Sequence, residues 1–435
     1  MIDQPSMTDD ELQQLETECA ARHAAFCKAG LALDLTRGKP ATDQLDLANH
    51  LDGALQGDYR SEDGTDTRNY GGLRGIPEAR RLGSILLDVP AEQVLAGGNS
   101  SLTLMYLFVE TAHLFGLGDA GPWRDDPAGA PRILCPVPGY DRHFALCEQL
   151  GIEMVNVTML DTGPDMDAVE AAVRDDPRIR GIWCVPKYAN PTGCVYDDAT
   201  VARFANLPKL AAPGFRILWD NAYTVHDLSP QPPRLASLWK LAAEAGTADG
   251  AVIFGSTSKI SFAGAGVAFM AASDKVLGAF EARLGALMIG PDKVNQLRHS
   301  RLFPDVEAIR GHMQRHAAII RPKFDAVQQA LAQGLADTGF ATWTRPEGGY
   351  FVSVDTLPGM ARDVIRLAAE AGVKLTPAGS TYPYGRDPED RNIRLAPTFP
   401  PLADVRRAME VFINCVRLAG ARTIRQRQPI PEHRR

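Results

Sequence analysis

The sequence predicts an α/β protein with two domains, a large one built on a mostly parallel sheet and a smaller α+β one. The chain has 435 residues, which is too long for one simple core and suits two. Between about residues 95 and 272, short apolar runs alternate with helical stretches, as is typical of a parallel sheet covered by helices. From about residue 340 the pattern changes to a strand pair, a helix and single strands, which indicates the second domain.

Six apolar runs supply the strands of the predicted large domain. They are apolar throughout, which favours strands that are buried on both faces. In sheets of this kind, the residues that bind ligands and react lie where strands end and loops begin. The runs are Arg132–Val137, Met154–Val157, Gly181–Val185, Arg216–Trp219, Ala251–Gly255 and Val267–Ala271.

Helices and the second domain frame this sheet. Residues 8–29 predict a helix that starts at Thr8 as N-cap and stops before Gly30. A long helical stretch, roughly Asp305 to Leu335, connects the large domain to the small one. We expect residues 1–45 to join the small domain, 46–320 to form the large domain and 321–435 to form the small one. The predicted elements of the small domain are a strand pair at Trp343–Val354, a helix at Ala361–Ala371, strands at Val373–Thr376 and Ile393–Ala396, and a closing helix.

Composition narrows the functional class. The net charge is −7 and no basic domain stands out, which argues against nucleic acid as a partner. The basic cluster Arg422–Arg435 is interpreted as a solvated tail. Seven irregularly spaced cysteines without a Cys-x-x-Cys pair predict neither a metal site nor a disulfide framework. Because the N-terminus is acidic and no apolar run reaches about 18 residues, we expect a cytoplasmic protein with no membrane span.

A lysine follows one of the predicted strands. The run Ala251–Gly255 leads into Ser256-Thr257-Ser258-Lys259 and then into a Gly-rich turn. A lysine at a strand exit, flanked by small hydroxyl residues, is a plausible Schiff-base lysine, because partial burial would lower its pKa and free its amine. Taken alone, the pattern is also that of a solvated surface lysine.

A carboxylate and two turns follow other strands. Asp220 ends the strand before Tyr223, although an Asp that caps the next turn gives the same pattern. Asn190 opens an Asn-Pro-x-Gly turn, which leaves its amide free to donate. Gly97-Gly98-Asn99-Ser100-Ser101 precedes a helical stretch, and backbone N–H groups at a helix start form an anion site suited to a phosphate.

In this order and spacing, the four segments resemble fold-type I pyridoxal-phosphate (PLP) enzymes of the aspartate aminotransferase superfamily. Asp220 follows Asn190 by 30 residues, and Lys259 follows Tyr223 by 36. The segment Ser258-Lys259-Ile260-Ser261-Phe262-Ala263-Gly264-Ala265-Gly266 is similar to that of an atypical bacterial aspartate aminotransferase subgroup. The resemblance covers nearly the whole chain. It implies a seven-stranded, mostly parallel sheet in three αβα layers, and pyridoxal 5'-phosphate as the cofactor.

The resemblance also implies roles around the cofactor ring. Lys259 would carry the Schiff base and later move the proton, and Asp220 would pair with the pyridinium nitrogen. Tyr223 and Asn190 would share the phenolic oxygen, and Tyr140 would stack on the ring, although a core tyrosine is the alternative there. The catalytic residues on this interpretation are Lys259, Asp220 and Tyr223.

The remaining implied contacts lie further from the ring. Asn99, Ser100, Ser256 and Ser258 would hold the phosphate, and Tyr70 would cross the interface of a homodimer to the partner's phosphate. Arg394 would bind the substrate α-carboxylate with two parallel hydrogen bonds, while Gly38 would belong to the segment that closes over substrate. Asn190 is expected to contact substrate as well.

One position departs from the family. Relatives carry an Arg or Lys seven or eight residues after the Schiff-base lysine, where this chain has Gly266 and Val267. Either another cation supplies the charge, or amides and hydroxyls hold the phosphate.

The resemblance predicts ping-pong transamination between an amino acid and a 2-oxo acid. The preferred pair is L-aspartate with 2-oxoglutarate, which requires a cation for the second carboxylate. An aromatic, alanine or 2-aminoadipate donor and a carbon–sulfur β-lyase stay open as alternatives. A binding-only regulatory protein is disfavoured, because only about 30 residues, acidic in character, precede Leu31. The candidate cations are Arg37, Lys39, Lys293, Arg298 and Arg301.

Overall fold

The computed structural model describes residues 7–118 and 120–427. The α-helices are α1 (Asp9–Lys28), α2 (Thr42–Asp46), α3 (Pro77–Leu87), α4 (Ser101–Leu114), α5 (Asp141–Gln149), α6 (Met166–Asp175), α7 (Asp198–Asn206), α8 (Leu238–Ala245), α9 (Asp274–Leu287), α10 (Lys293–Leu302), α11 (Val306–Leu335), α12 (Ala361–Glu370) and α13 (Leu402–Arg427). The strands are β1 (Leu33–Asp34), β2 (Val94–Ala96), β3 (Arg132–Val137), β4 (Glu153–Leu160), β5 (Gly163–Pro164), β6 (Ile179–Cys184), β7 (Arg216–Asp220), β8 (Ala251–Ser256), β9 (Ala268–Ala271), β10 (Ala341–Trp343), β11 (Val352–Thr356), β12 (Val373–Lys374) and β13 (Asn392–Leu395).

The large sheet is mostly parallel, as predicted. Its strands lie in the order β2-β9-β8-β7-β6-β3-β4-β5, and the five strands from β8 to β4 are mutually parallel. Strand β9 runs antiparallel to both of its neighbours. The sheet has eight strands among the described residues rather than seven, because the two-residue strand β5 folds back on the end of β4 and pairs with it.

Helices cover both faces of this sheet and make three layers. Along β8, Val252 and Phe254 pack into the core beneath α4, α5 and α9. Ala251 and Ile253 pack into the opposite core, beneath α3, α6, α7 and α8. Side chains alternate between the faces of a strand, so a strand that is buried on both sides must be apolar at every position. This requirement explains the continuous apolar runs in the sequence.

The parallel direction of the strands determines where the candidate site lies. Strands β3, β6, β7 and β8 all end at the same edge of the sheet. The segments that leave this edge carry Tyr140, Asn190, Asp220 and Lys259. Residues that are far apart in sequence therefore meet at the carboxyl edge, where ligands bind in sheets of this type.

A second group of elements packs beside the large sheet. Strands β10, β11 and β13 form a three-stranded antiparallel sheet, and β1 pairs in parallel with β12, with Leu33 opposite Val373. Helix α1 packs on α13, so the N-terminal segment contacts the C-terminal elements. The division at residues 45/46 and 320/321 stays a prediction; the second boundary falls inside α11.

The helix ends agree closely with their sequence signals. Thr8 caps α1 in a reciprocal hydrogen-bonded pair with Glu11, and Asp305 caps α11 through the amide of Ala308.

The start of the basic tail differs from the expectation of a solvated end, because Arg422 and Arg425 belong to α13 and pair with Glu16 on α1. Residues 428–435 of that tail lie outside the described residues. Within the described ranges, no helix is both long and apolar enough to cross a bilayer.

Replacing Leu331 by Ala is expected to lower the free energy of unfolding by about 2–5 kcal/mol. Leu331 is fully buried on α11, in the core that joins this helix to the C-terminal elements, so truncation leaves a cavity. Urea unfolding followed by fluorescence measures the change. Leu160→Ala at the exposed end of β4 is the control and is expected to cost less than about 0.5 kcal/mol. Equal losses in the two variants would contradict the packing assigned to α11.

Candidate active site

A cleft of about 600 Å³ opens at the carboxyl edge of the large sheet, against the β10–β11–β13 unit. Residues from both groups of elements line it. Eight of the residues singled out in the sequence lie on its wall: Arg37, Gly38, Lys39, Tyr140, Asn190, Tyr223, Lys259 and Arg394. The cleft is thus the place where the sequence motifs converge.

Lys259 sits in the turn that follows β8, with its amine inside the cleft. Its Nζ lies 4.9 Å from the centroid of the Tyr223 ring. Burial lowers the pKa of Lys259, and the negative charge of Asp220 opposes this shift. A lysine whose pKa is lowered holds a larger fraction of its amine in the free form, which is the form that attacks a carbonyl carbon.

Asp220 is the last residue of β7 and is only 2% exposed. Its Oδ2 lies 3.1 Å from Nε2 of His143, and the His143 ring stacks on Trp183 at 4.1 Å between centroids. Its Oδ1 is buried with no hydrogen-bond partner among the described residues. Because a buried carboxylate oxygen without a partner is costly, the site favours a ligand that brings a donor to this atom.

Two tyrosines flank this carboxylate. Tyr140 occupies the N-cap position of α5, shortly after β3. Its ring meets the His143 ring edge-on, with 5.0 Å between the two centroids. Tyr223 lies in the turn after β7 and is buried. Burial, and the nearby Asp220 carboxylate, raise the pKa of both hydroxyls. Both tyrosines therefore stay neutral at physiological pH and can donate a hydrogen bond.

Arg394 reaches the cleft from β13 of the second unit. Its Nη1 donates to Oδ1 of Asp141 at 2.9 Å and to Oδ1 of Asn190 at 3.2 Å. Its Nε is buried without a partner among the described residues. The guanidinium carbon lies 5.0 Å from the centre of the Phe351 ring, and this cation–π contact helps to orient the group. Arg394 is thus oriented on one side and has donor capacity left for a carboxylate.

Gly38 lies against the same aromatic ring. A Cβ atom at this position would collide with the Phe351 ring, so no other residue fits without displacing the ring. This close approach brings the N-terminal segment up to the cleft and explains a glycine there.

The proposed phosphate residues form a hydrogen-bonded cup at the start of α4. Ser100 is the N-cap of α4, and its side chain makes no cap hydrogen bond. Ser258 Oγ donates to the Asn99 carbonyl at 2.8 Å, and Asn99 Nδ2 donates to the Gly264 carbonyl at 3.1 Å. Ser256 Oγ accepts from the Ser258 amide at 3.4 Å. Amides and hydroxyls thus lie together at a helix start, a setting that favours an anion.

The same cup explains the missing cation. A Cβ at Gly266 would lie 2.9 Å from both N and Oγ of Ser258. Val267 is buried, and its amide donates to Thr257 Oγ1 at 2.9 Å. Neither position has room for an arginine or lysine that points toward the cup. These two positions therefore supply no charge to an anion in the cup, where backbone and hydroxyl donors are at hand.

Tyr70 is not in the cleft. Its side chain is 81% exposed, on a loop that Lys293 holds through hydrogen bonds of 2.7 Å to the carbonyls of Asn69 and Gly71. Lys293 therefore braces this loop and is not available as a substrate cation. Arg301 is also engaged, with the Leu55 carbonyl and Asp58.

Other candidate cations do lie on the cleft wall. Arg37 and Lys39 line it, whereas Arg298 is not among its lining residues. Sequence reasoning missed Arg142 and Asp141, which also line it, and His143, which lies behind Asp220. All three stand in the first turn of α5, directly after a strand. Their signal was a helix that starts at the carboxyl edge with polar residues in its first turn.

The fold and this site define a class of protein. A mostly parallel sheet brings a half-buried lysine and a buried carboxylate to its carboxyl edge, and a second unit adds an arginine, as in fold-type I PLP-dependent enzymes.

Within this class, the chain belongs to the aspartate aminotransferase family of PLP-dependent aminotransferases. The family model described as "Aspartate amino-transferase" matches residues 7–428. The aspartate aminotransferase of Corynebacterium glutamicum is 47% identical over 393 residues, which cover 90% of each chain. A solved aspartate transaminase from that organism superposes with a TM-score of 0.91 and 44% identity, over 95% of this chain and 97% of the other.

A more distant solved structure shares the fold. The α-aminoadipate aminotransferase of Thermus thermophilus, complexed with N-(5'-phosphopyridoxyl)-L-leucine, has a TM-score of 0.72 and 24% identity. The match covers 94% of this chain and 98% of that one.

The residues of the cleft fit the cofactor that the family implies. PLP has a ring nitrogen that carries a proton, an aldehyde and a phosphate. The unpaired Oδ1 of Asp220 can accept a hydrogen bond from the protonated ring nitrogen. The amine of Lys259 can react with the aldehyde, and the cup at Ser100 can bind the phosphate.

Replacing Asp220 by Asn is expected to lower turnover by about 10²–10³-fold, because the ring nitrogen loses its anionic partner. The variant also loses the charge that raises the pKa of Lys259, so that pKa falls further. The pH midpoint for capture of PLP by the apoprotein should therefore move to lower pH. Stopped-flow absorbance against pH measures this midpoint, with the exposed Asp198→Asn as control. A midpoint that stays in place or rises would contradict the charge coupling between Asp220 and Lys259.

Proposed function

We propose that the protein catalyses transamination of L-aspartate with 2-oxoglutarate, using PLP bound to Lys259. The observation that carries this proposal is the charge of the cleft around the Lys259 amine. Arg37, Lys39, Arg142 and Arg394 line it, and Asp141 is the one acidic residue among its lining residues. Both proposed substrates carry two carboxylates, so the cleft matches them in charge.

Arg394 is proposed to bind the α-carboxylate. Its planar guanidinium is oriented by Asp141, Asn190 and the Phe351 ring, and its Nε has no protein partner in the described structure. An arginine can hold a carboxylate by two parallel hydrogen bonds, which fixes the rotation of the substrate about its Cα. Such orientation places the Cα hydrogen in the same way for every amino acid bound.

The second carboxylate is proposed to lie toward Arg37, Lys39 and Arg142. All three are exposed at the cleft mouth, where flexible cations can follow substrates of different length. This adaptability suits aspartate and 2-oxoglutarate, because the carbon chain between their two carboxylates differs in length by one methylene group. The solved C. glutamicum relative is described as an aspartate transaminase, which supports the dicarboxylate assignment.

Lys259 is proposed to move the proton. When bound, PLP supplies an electron sink that stabilises negative charge at the substrate Cα. The Lys259 amine accepts the proton from the substrate Cα, and its lowered pKa keeps it available as a base. Asp220 would hold the ring nitrogen in its protonated form, and Tyr223 and Asn190 would donate to the ring oxygen. The second half-reaction uses the same groups in reverse.

A homodimer is proposed as the functional unit, with Tyr70 reaching the partner's phosphate cup. The support is the combination of a large exposed aromatic side chain with a loop that Lys293 holds in place. A loop braced by two hydrogen bonds costs little further entropy on binding, so it can present Tyr70 to a second molecule.

Titration of the purified holoenzyme with single amino acids tests the function. Aspartate and glutamate are expected to bleach the visible absorbance of the lysine–cofactor bond, while alanine and aromatic amino acids should do so much less. Lys259→Ala should lack this absorbance and turn over at least about 10²–10⁴-fold more slowly. The exposed Lys209→Ala is the control and should match the wild type.

Two outcomes would contradict this proposal. Wild-type protein without the visible absorbance would remove the cofactor assignment. Pyruvate and ammonia released from a cysteine conjugate, with no need for an oxo acid, would indicate a β-lyase instead.

Replacing Arg394 by Lys is expected to lower kcat/KM by about 10–100-fold for every amino acid that the enzyme accepts. Lysine keeps the charge but loses the second parallel hydrogen bond and the contact with Phe351. Steady-state kinetics with aspartate and glutamate measure the loss, which should be similar for both because they share the α-carboxylate. Arg391→Lys, beside β13 and paired with Glu389, is the matched control. A loss confined to one of the two substrates would place Arg394 at the side chain instead.

A further inference from the structure

Four buried histidines surround the three residues 259–261, although the chain has only nine histidines in all. They are His226, His299, His312 and His316, and each is at most 3% exposed. They come from different parts of the chain: the turn after β7, helix α10 and helix α11. None of them belongs to the chemistry proposed above, so their shared location calls for an explanation.

His226 holds the carbonyl of Lys259. Its Nε2 lies 3.2 Å from this oxygen, and the hydroxyl of Tyr350 donates to the same oxygen at 3.3 Å. A carbonyl can only accept, so His226 carries its proton on Nε2. Its Nδ1 is buried without a partner among the described residues, so the ring makes this one hydrogen bond.

His312 holds the next carbonyl, that of Ile260, and His316 supports His312 from behind. His312 Nε2 lies 2.7 Å from the Ile260 oxygen, and its Nδ1 faces the Arg315 guanidinium at 3.3 Å, so His312 is neutral and donates to Ile260 through Nε2. His316 Nε2 lies 3.0 Å from His312 Nε2, and the Gln44 amide donates to His316 Nδ1 at 3.1 Å. His316 thus links Gln44 to the ring that holds the Ile260 carbonyl.

His299 holds the third residue, Ser261. Its Nδ1 lies 2.9 Å from the Asn295 carbonyl and must donate to it, which leaves Nε2 to accept from Ser261 Oγ at 2.7 Å. Burial lowers the pKa of all four rings, that of His226 and His316 to about 3, which favours their neutral forms.

We propose that these four histidines are positioning residues that clamp the Lys259–Ser261 segment and so fix the direction of the Lys259 amine. Gln44 and Tyr350 connect the clamp to the N-terminal segment and to the β11 unit, since the Gln44 amide donates both to His316 and to the Tyr350 hydroxyl. The placement of the amine thereby depends on these elements being docked. This inference rests on the proposed role of Lys259.

His226 offers the sharpest test, because its ring makes a single side-chain hydrogen bond. His226→Leu removes the donor to the Lys259 carbonyl, whereas His226→Gln keeps an N–H donor within reach of it. Apoprotein of each variant is mixed with saturating PLP, and the maximal rate of Schiff-base formation is read by absorbance. The Leu variant should capture PLP about tenfold more slowly, and the Gln variant within about twofold of wild type.

Steady-state kinetics provide the second readout. In the Leu variant kcat should fall about tenfold while KM for aspartate changes less than about twofold, because the clamp acts on the amine and not on substrate binding. His23→Gln is the matched control: His23 also bonds a peptide carbonyl, that of Leu367, but on α1 away from the cleft. It should match the wild type in both measurements.

The outcomes separate the clamp from the function it serves. Wild type that forms no Schiff base refutes the role of Lys259 itself. Wild type that forms one, with a Leu variant equal to it or a Gln variant as slow as Leu, overturns the clamp. Should the Leu variant fail to fold, Tyr350→Phe removes the second donor to the Lys259 carbonyl, together with the acceptor of the Gln44 amide, and should slow capture about two- to threefold. An unchanged rate would also overturn the clamp.

Discussion

The structure depends on an acidic and a basic group that lie together at one edge of a parallel sheet. Asp220 at the end of β7 is 2% exposed, Lys259 after β8 is half-buried, and the charge of Asp220 acts on the pKa of Lys259. A buried carboxylate with one unpaired oxygen is unfavourable by itself. It is tolerated because His143 takes the other oxygen and because a bound cofactor would supply a donor to the free one. Stability and function are thus in conflict at this atom, as is common where chemistry occurs.

The topology of the sheet fixes the positions of these two residues relative to each other. Strands β7 and β8 are parallel neighbours, with Asp220 opposite Phe254 in their register. Apolar cores on both faces fix the strands in relation to each other, so the segments leaving their ends have little freedom. Two residues that are distant in sequence can therefore hold a fixed geometry. The accuracy of the site comes from packing that is distant from the chemistry.

Local patterns were sufficient to predict most of the fold and the centre of the site. Each apolar run became a strand because burial on both faces demands that pattern, and the polar residue just after a run then had to lie at the sheet edge. The direction of β9 was not predictable, since an antiparallel strand buried on both faces looks the same in sequence. The eighth strand was also hidden, because two residues carry no periodicity.

The contacts that escaped prediction all link distant segments. His312 and His316 sit one turn apart on α11, and in sequence they are simply polar positions of a long helix. The bond of His312 to the Ile260 carbonyl, with His316 against His312, follows from how α11 packs against the lysine turn, which no local pattern encodes. The exposed Tyr70 is the reverse case: the motif around it was visible in the sequence, but in the single chain its side chain stays 81% exposed.

The second unit connects substrate binding to the placement of the lysine. Strands β11 and β13 are neighbours, and they carry Tyr350 next to one end of β11 and Arg394 in β13. Arg394 orients toward the cleft, while Tyr350 donates to the Lys259 carbonyl. Gln44 ties the N-terminal segment, which also carries Gly38, to the same tyrosine. A displacement of this small sheet would therefore move the carboxylate-binding group and loosen the lysine turn together. Groups that must act on one substrate at the same moment are thereby tied to the same small sheet, which makes catalysis conditional on its correct docking.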